Sequence, residues 1–181
     1  MTNNLSKKLF GLGFIILAVW YSLWMIQPPD PKPESVPPDL FSAERAIEHI
    51  QQIGRYPHPL GSKDNERVRD YIVNELQKMG LNSEIQQGIA MKRESALAGN
   101  VKNVLVKIPG SDPKQTIMLM AHYDSVPNGP GAADDGMGVS AILEALRALQ
   151  SRDALKNNLW VLFTDGEERG LLGRRIFYPG Q

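Results

Sequence analysis

TIMLMA at residues 116–121 and LWVLFT at residues 159–164 decide the fold of this chain. Each is an unbroken apolar run of strand length, the pattern of a strand covered on both faces and therefore central in a sheet flanked by helices. Between them, Val139, Ile142, Leu143, Leu146 and Leu149 recur at helical spacing and predict a helix over 136–149. Strand, helix, strand in that order makes a right-handed crossover and a parallel pair. Upstream, Ser42 suits the N-cap of a helix running to Ile53 with Gly54 as its stop, and Ala46, Ile47, Ile50 and Ile53 give it one apolar face. A second helix over about 63–79, capped by Ser62 and closed by Gly80, buries Val68, Tyr71, Ile72, Leu76 and Met79. Further strands are predicted at 82–87 and 103–108, and the loop joining them shows no clear helix. The expected class is α/β, with a mixed, largely parallel sheet flanked by helices. The long apolar edge of the 159–164 strand should not stay exposed, so more chain is expected after Gln181.

The N-terminal region is of another kind. Residues 9–26 (LFGLGFIILAVWYSLWMI) are 18 residues without a charge, preceded by Lys7 and Lys8, with Trp20, Tyr21 and Trp24 suited to a membrane interface. The segment lacks a small-x-small cleavage site and ends in bulky aromatics, which favours an uncleaved signal anchor over a cleaved signal peptide or a buried core helix. The two lysines place residues 1–8 in the cytoplasm and everything after Ile26 outside it, in a single-pass protein. Residues 27–39 (QPPDPKPESVPPD) hold six prolines and read as an extended polyproline-type linker, so a folded domain is expected over 40–181.

Lys+Arg and Asp+Glu number 20 each, so no global field points to nucleic acid. The absence of cysteine excludes a disulfide framework and any thiolate zinc site, leaving His, Asp and Glu to hold a metal.

Those residue types gather at three places. His122 and Asp124 follow directly on the first apolar strand, and residues two apart in an extended segment point the same way, so Asp124 can orient the imidazole of a metal-ligating His122. Asp134 and Asp135 open the 136–149 helix. One aspartate there is an ordinary N-cap, a role that suits Asp135, and the second exceeds what capping requires, which makes Asp134 the ligand candidate. Glu167 and Glu168 follow the second apolar strand. As neighbours they project differently, so one can bind a metal while the other takes a proton from the attacking water. Taken singly, each cluster has a plainer reading as a loop residue, a cap or solvated charge. Their joint position at strand ends and at the start of the helix between them brings them to one crevice. His58, between two prolines, is read as a packing residue of a rigid loop.

The segments AHYDSVPNGPGAADDGMG (121–138) and FTDGEERGLLG (163–173) together resemble the M28 family of zinc aminopeptidases, and PHPLGSKDNERVRDYI (57–72) is similar to the N-terminal helix region of that family. With its apolar N-terminal segment, the chain is most similar to the membrane-bound, endoplasmic-reticulum-metallopeptidase-like branch. The resemblance covers residues 41–181 and implies a three-layer zinc-exopeptidase fold acting on peptide substrates. It further implies two Zn2+ ions in the complete protein: His122 on one, Glu168 on the other and Asp134 bridging both, with Glu167 as general base and Asp124 orienting His122. The family's remaining Asp and His ligands come later than its Glu-Glu pair, and nothing after Glu168 matches them, so each zinc has two ligands here where catalytic zinc ordinarily has three. Weak activity of this chain alone is the expectation. Two other readings stay open: a glutaminyl-cyclase-like acyltransferase using a single zinc, and a non-catalytic, membrane-tethered interaction domain.

Overall fold

The computed structural model describes residues 2–178. Helix α1 (Thr2–Met25) begins upstream of Lys7 and Lys8, so both lysines lie on the helix itself, and its Leu5–Met25 portion is long and apolar enough to cross a membrane. The chain divides after Pro31 into two compact units.

In the second unit, helix α2 (Ala43–Ile53) is capped by Ser42, whose side chain accepts from the amide of Arg45, and ends at Gly54. Helix α3 (Lys63–Lys78) is capped in the same way by Ser62, and helix α4 (Gly136–Leu149) by Asp135. Strands β1 (Ser83–Lys92), β2 (Leu97–Ile108), β3 (Thr116–His122) and β4 (Asn158–Thr164) form one sheet in the order β1-β2-β4-β3. The sheet is mixed, as expected, but its parallel share is smaller than expected: β3–β4 is the parallel pair, whereas β1–β2 and β2–β4 are antiparallel. Connection length explains this. A parallel crossover requires a dozen or more residues, which only α4 and its loops supply. By contrast, β1 and β2 meet through a 3₁₀ turn at Arg93–Ser95, and residues 109–115 join β2 to β3.

The core lies between one face of this sheet and the three helices. Ile53 from α2, Val68, Ile72 and Leu76 from α3, and Val139, Leu143 and Leu146 from α4 pack on Val104, Val106, Val161 and Phe163. On the other face, Ala90 and Val101 are covered by Leu60, Leu172 and Ile176. The expectation that both apolar runs are covered on both faces holds for β4 alone. Met118 and Met120 of β3 are exposed, because among the described residues β3 is an edge strand with no element over the face they share. The open edge is therefore that of β3 and not of 159–164, which is paired on both sides.

The second half of the proline-rich run is held against the helices. Prolines remove N–H donors and leave carbonyls, so a proline-rich segment can be bound by donors alone, and guanidinium groups are pure donors. Arg147 donates to the carbonyls of Pro38 (2.7 Å) and Leu40 (2.9 Å), Arg152 to that of Asp39 (3.1 Å), and Arg45 to those of Leu40 (2.9 Å) and Glu34. Beneath them the fully buried Glu144 accepts from Arg147 (2.6 Å), Arg45 (3.0 Å) and the amide of Ser42 (2.8 Å). Burial raises the Glu144 carboxyl pKa, and the bonds from Arg147, Ser42 and Arg45 outweigh it, so it lies below its ordinary value. A depressed carboxyl stabilises the fold above its ordinary pKa, and that contribution is lost as pH falls through the folded value. Glu144→Ala leaves two guanidinium groups without their partner and should lower the unfolding free energy by about 3 kcal/mol in chemical denaturation at neutral pH. Unchanged stability would show that the arginines re-pair.

Candidate metal centre

Strands β3 and β4 run in parallel, so their C-terminal ends open side by side, and α4 begins between them. His122 is the last residue of β3 and is 9% exposed. Its Nδ1 lies 3.0 Å from the backbone carbonyl of Asp124. A carbonyl only accepts, so Nδ1 donates to it, and Nε2 is turned toward the crevice. There Nε2 stands 3.1 Å from Asp134 Oδ1 and 3.9 Å from Glu167 Oε2. Asp124 thus orients His122 chiefly through its main chain, since its carboxylate is farther from Nδ1, at 3.6 Å.

That carboxylate, fully buried, has other partners. Its Oδ1 accepts from the amide of Glu167 at 2.9 Å and its Oδ2 from the amide of Glu168 at 3.2 Å. One aspartate therefore ties the end of β3 to the loop after β4. Gly166 makes the turn into that loop at φ +70°, a conformation costly for other residues, and a Cβ there would press on Leu60 at 3.2 Å. Asp135 gives a second tie: Oδ1 caps α4 through the amide of Gly138 (3.1 Å) while Oδ2 accepts from the amide of His122 (3.3 Å).

The structure brings His122, Asp134 and Glu168 together, with one ligand atom from each lying within 4.8 Å of the others. Zinc ligands about 2.0–2.2 Å from a tetrahedral ion stand roughly 3.3 Å apart, so this imidazole and these two carboxylates are a donor set suited to zinc that would draw together around the ion. Glu167 lies beside the cluster with its side chain 37% exposed.

Charge at the site is unbalanced toward the negative. Burial lowers the His122 pKa, but the hydrogen bond and charge of Asp124, together with Asp134, more than reverse this and push it up to about 9. Glu168 is raised by burial first and then by the charge of Asp134.

Behind the cluster lies a buried polar network that the sequence did not reveal. Asp165 accepts from Asn65 of α3 (3.0 Å) and from the amide of Lys102 (3.1 Å), and its own amide donates to Asn103 (3.1 Å). Asn103 in turn donates to the carbonyl of Gly173 (2.9 Å). Burial, chiefly, raises the Asp165 carboxyl to about 6. The sequence signal was an aspartate directly after a buried strand, but its partners lie 100 and 63 residues away. His58, read as a packing residue, is buried at 1% exposure.

Residues 103–179 match the sequence profile of Peptidase family M28. They include the candidate residues His122, Asp124, Asp134, Glu167 and Glu168. Residues 103–179 belong to peptidase family M28. A vacuolar membrane protease of Candida dubliniensis is 35% identical over 137 residues, and the match takes in 71% of this chain and 15% of that protein. Glutaminyl cyclase from Porphyromonas gingivalis superposes with a TM-score of 0.61 at 27% identity, over 70% of this chain and 46% of that one. A Zn-dependent exopeptidase from Parabacteroides distasonis shares the fold, with a TM-score of 0.59 at 23% identity over 74% and 49% of the two chains. The chain therefore spans about half the length of these solved structures and a far smaller part of its curated relative. The mixed α/β sheet of the M28 region is the zinc-exopeptidase fold, and family and donor set together support zinc.

A zinc ion held by His122 would have to displace its proton below about pH 9. Zinc affinity should therefore climb about tenfold per pH unit from pH 6 toward 8 and level off above about 9, read by competition with a chromophoric chelator. A pH-independent affinity over that range would remove His122 from the ligand set.

Proposed function

We propose that this chain carries part of the active site of a membrane-anchored, zinc-dependent exopeptidase of aminopeptidase type, acting on peptides outside the cytoplasm. The convergence of His122, Asp134 and Glu168, with Glu167 left free beside them, carries the reading. The similarity to proteins named vacuolar membrane protease and the apolar Leu5–Met25 helix support membrane anchoring. Lys7 and Lys8 favour a cytoplasmic N-terminus.

His122, Asp134 and Glu168 would hold the ion. When bound, zinc supplies Lewis-acid polarisation of the scissile carbonyl and makes a nearby water acidic near neutral pH. Glu167 is suited to general-base work because its amide is anchored on Asp124 while its carboxylate stays off the ligand cluster. It takes the proton of the attacking water and returns it to the departing amine. Asp134, with its side chain 84% exposed, has an oxygen that would be free to face a second cation in a two-ion arrangement. One observation favours a second reading. Three donors meeting at one point form a complete three-ligand set for a single ion, which is what a glutaminyl-cyclase-like acyltransferase uses.

In the zinc-loaded protein, Glu167→Gln should lower hydrolysis of aminoacyl reporter substrates by about 10²–10⁴-fold and leave zinc content unchanged, as measured by steady-state kinetics and metal analysis. Hydrolysis that survives both this substitution and a chelator would sink the mechanism. Cyclisation of N-terminal glutamine, with one zinc per chain, would favour the second reading.

A further inference from the structure

His58 lies in the loop between α2 and α3, is 1% exposed, and takes no part in the ligand cluster. Several contacts fix it. The Tyr56 ring has the guanidinium groups of Arg55 and Arg67 over it at 5.6 and 6.0 Å, and Arg67 also donates to the carbonyl of Gln52 at 2.7 Å. The His58 Nδ1 bonds the carbonyl of Tyr56 at 2.8 Å, so Nδ1 carries a hydrogen. Burial first, and then the charge of Arg67, hold the ring below its ordinary pKa against the opposing effect of the Tyr56 bond, which keeps it neutral at pH 7. Pro57 and Pro59 restrict the backbone on either side.

From this fixed position His58 reaches both ligand-bearing loops. Its amide donates to Ser125 Oγ at 2.8 Å, and the amide of Ser125 donates back to its carbonyl at 3.3 Å. Ser125 directly follows Asp124. The imidazole edge faces Gly131, where a Cβ would stand 3.3 Å from Cε1 of the ring, 2.8 Å from the Ser125 Cβ and 3.2 Å from the Asp134 carbonyl. Gly131, at φ +62°, accepts the amide of Gly136 through its carbonyl at 2.8 Å and so shapes the turn that presents Asp134. Asp135 already ties the amide of His122 to the start of α4. One tie between two segments leaves a hinge, and a second fixes their orientation.

We propose that His58 is a positioning residue of the metal centre: it wedges between the His122–Ser125 segment and the Gly131–Asp134 turn and sets the approach of His122 to Asp134. The inference rests on the metal-centre reading above.

The test uses the full chain in detergent micelles, as wild type, His58→Leu, His58→Asn and Ser125→Ala. Zinc affinity is measured by chelator competition, the ligand field by the visible absorption of the Co2+ form, and loop order by hydrogen exchange at Ser125 and Gly136 in metal-free protein. His58→Leu keeps bulk but removes the Nδ1 donor. It should lower zinc affinity about 10–100-fold, shift the Co2+ bands and speed both exchanges at least about tenfold. His58→Asn keeps an N–H near the Nδ1 position and should stay within about threefold of wild type. Zinc affinity and Co2+ bands unchanged in His58→Leu would overturn the proposal, as would equal losses in the Leu and Asn variants. Should His58→Leu fail to fold, Ser125→Ala, which removes the acceptor of the His58 amide, must show the affinity loss, and wild-type affinity there overturns the proposal. Should the wild type take up no zinc, the metal-centre reading fails on its own account. Hydrogen exchange then decides on His58, with unchanged protection in His58→Leu overturning it.

Discussion

The buried carboxylate of Asp124 is the constraint on which the site depends. Its two oxygens receive the amides of Glu167 and Glu168, and its carbonyl holds the Nδ1 of His122. A buried carboxylate must find donors, and here it finds them in the main chain of the loop that carries the proposed ligand Glu168 and the proposed base Glu167. The parallel pairing of β3 and β4 makes this reach short, because it lays the two strand ends next to each other. Had the β3–β4 connection been a hairpin, the glutamates and His122 would lie at opposite ends of the sheet.

Most of this fold was legible where short-range chemistry sets the outcome. Ser42, Ser62 and Asp135 cap their helices as their side chains predict. The run 82–87 proved to be only the first part of β1, since Ile89 and Met91 are exposed and leave no alternation to mark the rest; pairing with β2 extends the strand to Lys92. The exposure of Met118 and Met120 was likewise illegible, because composition records that a strand is apolar but not whether an element lies over it.

In the site, His122, Asp134 and Glu168 could be named because each stands at a strand end or a helix start. The role of the Asp124 carboxylate could not, because its partners are backbone amides 43 and 44 residues away that carry no signature in sequence. The proline-rich run was misleading in a related way: the prolines were visible, but the arginines that bind its second half are spread from residue 45 to residue 152.

Asp135 spends one oxygen on the first turn of α4 and the other on the amide of His122. Fraying of that turn and dispersal of the ligand cluster are therefore a single opening event. A cation that binds only the assembled cluster must hold the helix end closed by the same free energy, about 1.4 kcal/mol for each tenfold by which its concentration exceeds its dissociation constant. The start of α4 becomes a gauge of site occupancy, readable without any substrate.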